Sequence, residues 1–524
     1  MRQPKSREKF RPSKEYYFFL LGLSLVYTST LLTLYNALHV DLSSFFSYIF
    51  LFVHIIWFLI VINIAVNMMR LYKFKRIKCK KLSSDNLPTV SLVTVAYDEP
   101  KTVSDLFVKA VSNIDYPRDK LKVFIVEDLK DGKPNNKKSF EWLKKRGFNV
   151  TYIARSNRDG YRGGALNTAL KRIDTKYVIV LDIDHLPEPN MVKRLVGYAE
   201  ANPEYDVIMF PQKFRNYDEN AITFASNMGY ELDYGIMRKG CSVVNSAFCV
   251  GSNWIGRTKS IKEAGGFDDT TIVEDLATSL KKWHPRGLKI TMVEDILAYG
   301  LVPDELEALR KQQHRWAKGS FDLFKDYYKM FGKLSWPQRF SYLFSIMWYL
   351  VGLASIASQL FPLATLLGFN FLIVTDIIEY IVIVVNLTFL QVLIFTFPLS
   401  LMGYTTSSAF RGQAVGLLVA ESYSKAFFSS LIGKKVTFEV TRKLAKGEKF
   451  HKLLWESKVP LVLSIINALV LIYGLLRGTL FYLITALWAA YNLAWTLTAL
   501  YCASTVILSR NHKKNNSRKS PTKP

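Results

Sequence analysis

Six apolar stretches, near residues 16–38, 45–69, 341–366, 380–402, 458–476 and 479–507, constrain the fold of this 524-residue chain more than any other feature. A helix needs about 20 apolar residues to cross the hydrocarbon core of a bilayer, so each stretch qualifies as a span. Half of all residues are hydrophobic, too many for one soluble domain of this length. The first stretch has no convincing small-residue cleavage site and a second span follows closely, so it reads as an anchor and not a signal peptide.

Orientation follows from the basic residues. Lys and Arg crowd the segment from Arg2 to Lys14, then return only at Arg70, after which Lys73, Lys75, Arg76, Lys78, Lys80 and Lys81 cluster. By the positive-inside rule both clusters are cytoplasmic, as is the tail from Arg510. The loops holding Asp41, and Asp376 with Glu379, lack Lys and Arg and face outward; Arg477 falls in the last outer turn. Six spans with both ends inside satisfy every cluster. Residues 414–432 are apolar but broken by Glu421, Ser422, Ser424 and Lys425, a pattern that suits a helix lying in the interface. The expected organisation is a membrane region over 1–81, a polar cytoplasmic domain over 82–335, a second membrane region over 336–508 and a basic tail over 509–524.

The net charge of +26 raises nucleic acid as a partner. The basic residues gather at membrane edges, where anionic lipid headgroups account for them, so membrane lipids are the expected partner and nucleic acid is not. Cys79, Cys241, Cys249 and Cys502 have neither disulfide-framework nor metal-ligand spacing.

The polar domain opens with apolar runs at Thr89–Ala96, Leu121–Val126, Val150–Ile153 and Tyr177–Leu181, separated by helical patterns near 103–112, 138–146, 163–172 and 190–201. This alternation predicts a parallel α/β sheet, whose ligands bind at the carboxyl ends of the strands. Asp98 with Glu99, Glu127 with Asp128, and Asp182 with Asp184 all follow strand ends.

Asp182-x-Asp184 can hold a hard divalent cation that also grips a diphosphate, although a capped strand-end turn would use the same residues. Val273-Glu274-Asp275 follows a turn-rich approach. A carboxylate there can take a proton from a sugar hydroxyl, and acidic residues also favour a helix N-terminus. Gln312 and Arg315 share one face of a predicted helix spanning Pro303 to Ser320. Arg suits a pyrophosphate and Trp316 suits a sugar ring, while both also suit a headgroup layer. Gly251-Ser252-Asn253-Trp254 allows close approach of a substrate to the backbone, or makes an ordinary turn. Arg158-Asp159-Gly160-Tyr161-Arg162-Gly163-Gly164 precedes a helix and can cradle phosphate, but no Walker Lys-Ser/Thr ending follows.

Together these residues resemble the processive, membrane-embedded members of glycosyltransferase family 2, the cellulose, hyaluronan and chitin synthases. The resemblance runs from Leu82 to about Lys443. It implies a GT-A fold with a mixed, mainly parallel sheet inserted between transmembrane helices, a UDP-sugar donor, and Mg²⁺ or Mn²⁺. It implies that Tyr97, Glu99, Glu127 and Asp128 serve the nucleotide and that Asp182 and Asp184 hold the metal. Asp275 stands at the proposed general base, in a Thr-Glu-Asp motif where Val273 replaces Thr. Gln312, Arg315 and Trp316 match Gln-x-x-Arg-Trp near the acceptor and pyrophosphate. Val250, Gly251, Ser252, Asn253 and Glu274 line the acceptor. Phe438, Val440, Thr441 and Lys443 match Phe-x-Val-Thr-x-Lys, the gating-loop motif of the cellulose synthase branch, within a segment over 434–450. Arg162-Gly163-Gly164-Ala165 departs from the family's Lys-Ala-Gly-Asn, and Ala96-Tyr97-Asp98-Glu99 from Thr-Tyr-Asn-Glu. The chain is expected to lack the PilZ domain of some bacterial cellulose synthases.

The expected activity is inverting, processive transfer from a UDP-sugar to a β-linked polysaccharide, at a plasma membrane crossed several times. A non-processive transferase acting on a lipid carrier shares the fold and metal site but needs neither Gln-x-x-Arg-Trp nor the gating-loop motif. A catalytically silent scaffold or transporter would not need three acidic sites.

Overall fold

A computed structural model describes residues 12–369, 371–434 and 450–519 of the chain. Phe438, Val440, Thr441 and Lys443 lie outside the described residues. Ten strands organise the polar domain: β1 (Val90–Tyr97), β2 (Leu121–Asp128), β3 (Asn149–Arg155), β4 (Tyr177–Val180), β5 (Leu186–Pro187), β6 (Val207–Met209), β7 (Lys213–Phe214), β8 (Trp254–Arg257), β9 (Ile290–Met292) and β10 (Ala298–Gly300). Seven form one sheet in the order β3-β2-β1-β4-β8-β6-β9, and β5-β10-β7 form a small second sheet.

The four apolar runs of the sequence become β1 to β4, all mutually parallel. Their near-continuous burial explains the lack of alternation in β4, since a strand covered on both faces needs no polar side. The helices Lys101–Ser112, Lys137–Lys145, Tyr161–Leu170 and Met191–Ala201 cover the sheet where helical spacing predicts them. One apolar cluster under the sheet includes Leu92, Ile125 and Ile179, and another on the opposite face includes Val93, Val126 and Val180. Beyond residue 205 the strands are too short to carry periodicity. Antiparallel β8, between β4 and β6, makes the sheet mixed.

Register sets up the site. Tyr97 of β1 pairs with Asp128 of β2, which pairs with Arg155 of β3. β4 stops at Val180, opposite Val93, so Asp182 and Asp184 project past the sheet on the same rim.

Among the described residues, five helices are long and apolar enough to cross a membrane: Tyr16–Leu38, Phe45–Leu71, Trp336–Leu366, Lys458–Arg477 and Leu480–Val506. The expected span at 380–402 falls on the helix Ile377–Leu401. The region expected to lie in the interface falls on the helix Thr406–Leu431, which packs along the helix Leu306–Asp322. The bundle and the polar domain share a core. Phe50, Leu390, Leu418 and Trp488 of the apolar helices join Val273, Leu276, Leu309 and Ala317 of the polar domain in one buried cluster. The Val273–Asp275 turn and the Gln312–Trp316 helix are thus seated on the bundle.

Candidate active site

One cavity of about 630 Å³ collects most of the predicted residues. Its wall includes Tyr97, Glu99, Asp128, Asp182, Asp184, Val250, Gly251, Ser252, Glu274, Asp275, Gln312, Arg315 and Trp316. The wall also includes Tyr349, together with Gln359, Gln413 and Trp495 on the apolar helices. The wall there is aromatic and amide-rich, chemistry that suits sugar rings and hydroxyls.

At the strand ends, the Arg158 guanidinium sits 3.4 Å over the centre of the Tyr97 ring. Asp128 is buried and accepts from Arg155 Nε at 2.5 Å. Glu127 turns away from the cavity. Asn135 N and Asn136 Nδ2 donate to its Oε1 at 3.0 and 2.9 Å, and Tyr152 OH donates to its Oε2. Glu127 therefore shapes the β2–helix turn, and Asp128 is the member of the pair that reaches the cavity.

Asp182, Asp184 and His185 offer ligand atoms that all lie within 4.8 Å of one another. Asp184 and His185 are buried, and neither ring nitrogen of His185 has a hydrogen-bond partner among the described residues. Two carboxylates and an imidazole fit a divalent ion such as Mn²⁺ or Mg²⁺. Chain adjacency places His185 there, although Asp-x-Asp by itself does not name it.

Two turns build another part of the cavity wall. The backbone N–H of Asp182 donates to Ser252 Oγ at 2.8 Å, tying the end of β4 to the Gly251–Ser252 turn. Asn253, with φ of 65°, is fully buried below the cavity wall, and its Nδ2 reaches Pro211 O at 3.4 Å. Asn253 thus supports the turn from beneath. Glu274 and Asp275 open the short helix Glu274–Thr278, and Asp275 lies on the cavity side. Gln312 is buried against the wall, and Tyr230 stands edge-on to Trp316 with ring centres 6.5 Å apart. No local sequence signal marks Tyr230.

Arg162 sits at the centre of this arrangement. Its guanidinium donates to Asp182 Oδ1 at 2.7 Å, to Glu274 Oε1 at 2.5 Å and to the Gly251 carbonyl. Burial opposes the Arg162 charge, but Asp182 and Glu274 outweigh it and hold the guanidinium protonated. Burial raises the Glu274 pKa and Asp275 adds to the rise, while Arg162 opposes it. Burial pushes the Arg315 pKa down, against the pull of Glu274, Asp275 and Asp182.

Residues 91–265 match the family model for glycosyl transferase family 2. This chain carries a family 2 glycosyltransferase domain. The chain is 32% identical over 264 residues to glucomannan 4-beta-mannosyltransferase 2 of Arabidopsis thaliana, covering 48% of each chain. It is 30% identical over 293 residues to the UDP-forming cellulose synthase catalytic subunit of Pseudomonas fluorescens, covering 55% of this chain and 38% of the relative. The matched region thus spans less than half the length of either relative. In structure, the chain is similar to a mannosyltransferase of Pyrobaculum calidifontis solved with GDP-Man and Mn²⁺. The TM-score is 0.53 at 16% identity, over 74% of this chain and all of that one, which supports the GT-A fold.

Proposed function

We propose that this chain is an inverting, processive glycosyltransferase that adds sugars from a UDP-sugar to a growing β-linked polysaccharide and passes the product across the membrane. One observation carries the reading. The Asp182–Asp184–His185 cluster, Asp275, Arg315 and Trp316 all face a single cavity that runs on between apolar helices. The relatives include a cellulose synthase subunit and a glucomannan mannosyltransferase, both makers of β-glycans by name.

A Mg²⁺ or Mn²⁺ ion held by Asp182, Asp184 and His185 supplies charge neutralisation for the leaving diphosphate. Tyr97, Glu99 and Asp128 hold the nucleotide at the strand ends, and Arg315 adds positive charge on the side facing the acceptor. Asp275 removes the proton from the attacking hydroxyl. Trp316 holds the terminal sugar plane, so that the hydroxyl meets the donor carbon from the side opposite the departing phosphate. The basic clusters flanking the apolar helices support a cytoplasmic domain by the positive-inside rule, and the proposed location is the plasma membrane.

The test supplies detergent-purified protein with Mn²⁺ and radiolabelled UDP-sugars, with GDP-mannose beside them because of the mannosyltransferase relatives. Long polymer from one UDP-sugar supports the reading and names the sugar, whereas long polymer from GDP-mannose keeps processive transfer but overturns the UDP donor. A single-sugar lipid adduct would replace it with transfer to a lipid carrier.

A further inference from the structure

Arg162 occupies the place where the metal ligands and the acceptor turn meet. The backbone around it is built for close approach. A Cβ on Gly163 would fall 1.9 Å from Asp268 O, and one on Gly164 would fall 2.1 Å from Asp159 O. Gly160 and Tyr161 both have positive φ, at 69° and 48°, so the chain turns sharply just before the arginine. Two glycines in contact with neighbouring backbone leave Arg162 little freedom of base position. Its guanidinium then spans Asp182, Glu274 and the Gly251 carbonyl.

An aspartate oxygen engaged by a guanidinium is less available to a cation, and a fixed positive charge at this range repels a divalent ion. A nucleoside diphosphate reverses both effects, because its negative charge offers the guanidinium another partner and draws the cation in. We propose that Arg162 is a resident counter-ion for Asp182 that weakens divalent-metal binding until a nucleoside diphosphate arrives, so that metal and donor enter together. Its role is positioning, and it rests on the metal site proposed above. In a cytoplasm holding free divalent ions, such a device keeps the site from filling with metal that lacks a donor. The coupling is reciprocal: whatever factor the diphosphate adds to metal affinity, the metal adds to diphosphate affinity.

The experiment is a Mn²⁺ titration of the full chain in detergent, read by electron paramagnetic resonance of free Mn²⁺, with and without UDP or GDP. Wild type should bind Mn²⁺ weakly alone and much more tightly with diphosphate. R162Q should bind Mn²⁺ alone about tenfold more tightly than wild type, equivalent to ~1.4 kcal/mol, and should lose a similar factor of the diphosphate enhancement. R162K, which keeps the positive charge that repels the cation, should gain less than R162Q and stay within about threefold of wild type. Equal or weaker Mn²⁺ binding by R162Q without diphosphate, or an R162K gain matching that of R162Q, would overturn the inference. D182N separates the two readings. Loss of Mn²⁺ binding supports the metal site, whereas unchanged binding would remove that site and the Arg162 role with it.

Discussion

Gly319 faces Val273 so closely that a Cβ at position 319 would fall 2.6 Å from Val273 Cγ1. The helix that presents Gln312, Arg315 and Trp316 is therefore seated directly on the turn that presents Glu274 and Asp275. Branched Val273 fills the space that the absent side chain leaves. G319V would force the two segments apart. A misplacement near 1 Å at a reacting centre can cost about a hundredfold, so transfer should fall by at least about tenfold. Binding of Mn²⁺ and UDP, measured by titration, should stay near wild type, because neither depends on the 306–322 helix alone.

Asp275 borders the cavity beside the Gly251 turn, where a Cβ on Gly251 would fall 3.6 Å from Asp275 Oδ2. D275N removes the proposed base and preserves shape. The turnover number should drop by about 10²-fold or more, with the UDP dissociation constant within about threefold of wild type. Single-turnover transfer beside equilibrium nucleotide binding distinguishes this from a general loss of the site.

His185 brings buried nitrogens, without hydrogen-bond partners among the described residues, beside Asp184, an arrangement that a metal ion would satisfy. H185A should weaken Mn²⁺ binding in the presence of UDP by at least about tenfold, while UDP binding in EDTA is unchanged. Titration calorimetry under the two conditions checks both halves.

Trp316 lines the same cavity as Asp182 and Asp184 and as Gln359 and Gln413 of the apolar helices. W316A should release acceptors early and shift products to shorter chains, with less effect on hydrolysis of the donor to UDP. Product sizing on gels against released UDP reads the two separately. A planar W316F should recover part of the length, since a phenyl ring still offers a stacking face.

Arg310 clamps the site helix to its neighbours, donating to Glu421 Oε2 at 2.5 Å and lying 2.8 Å from Glu456 Oε2. Burial opposes ionisation of Glu421, but Lys425 and Arg310 overcome it and hold the carboxyl down at about 2. A depressed carboxylate stabilises the fold above its ordinary value of 4.5, and that contribution fades as pH falls through about 2. E421Q should therefore melt below wild type at about pH 7, with the gap narrowing steadily below about pH 4.5. Thermal unfolding of both proteins across that range provides the check.

Much of this was legible along the chain. Apolar length marks the long helices, because a bilayer-spanning helix must hide its backbone in an unbroken run of apolar residues. Buried parallel strands announce themselves as β-branched runs between amphipathic helices, so β1 to β4 and the rim carrying Asp128 and Asp182 were readable. The strands β6, β8 and β9 were not, since three or four residues hold no period. Neither did Glu127 and Asp128, adjacent in sequence, reveal that only one faces the cavity; the pleat sends them to opposite sides.

The identity of the acidic, basic and aromatic side chains, and their order, belong to the sequence alone. Their meeting belongs to the tertiary structure. Residues 162, 182, 251 and 274 lie on four separate segments, and only the sheet register and glycine-permitted close packing bring Arg162 onto three of their acceptors at once. Local chemistry determined what each residue can do, whereas through-space packing, which no one-dimensional spacing encodes, decided which residues act together.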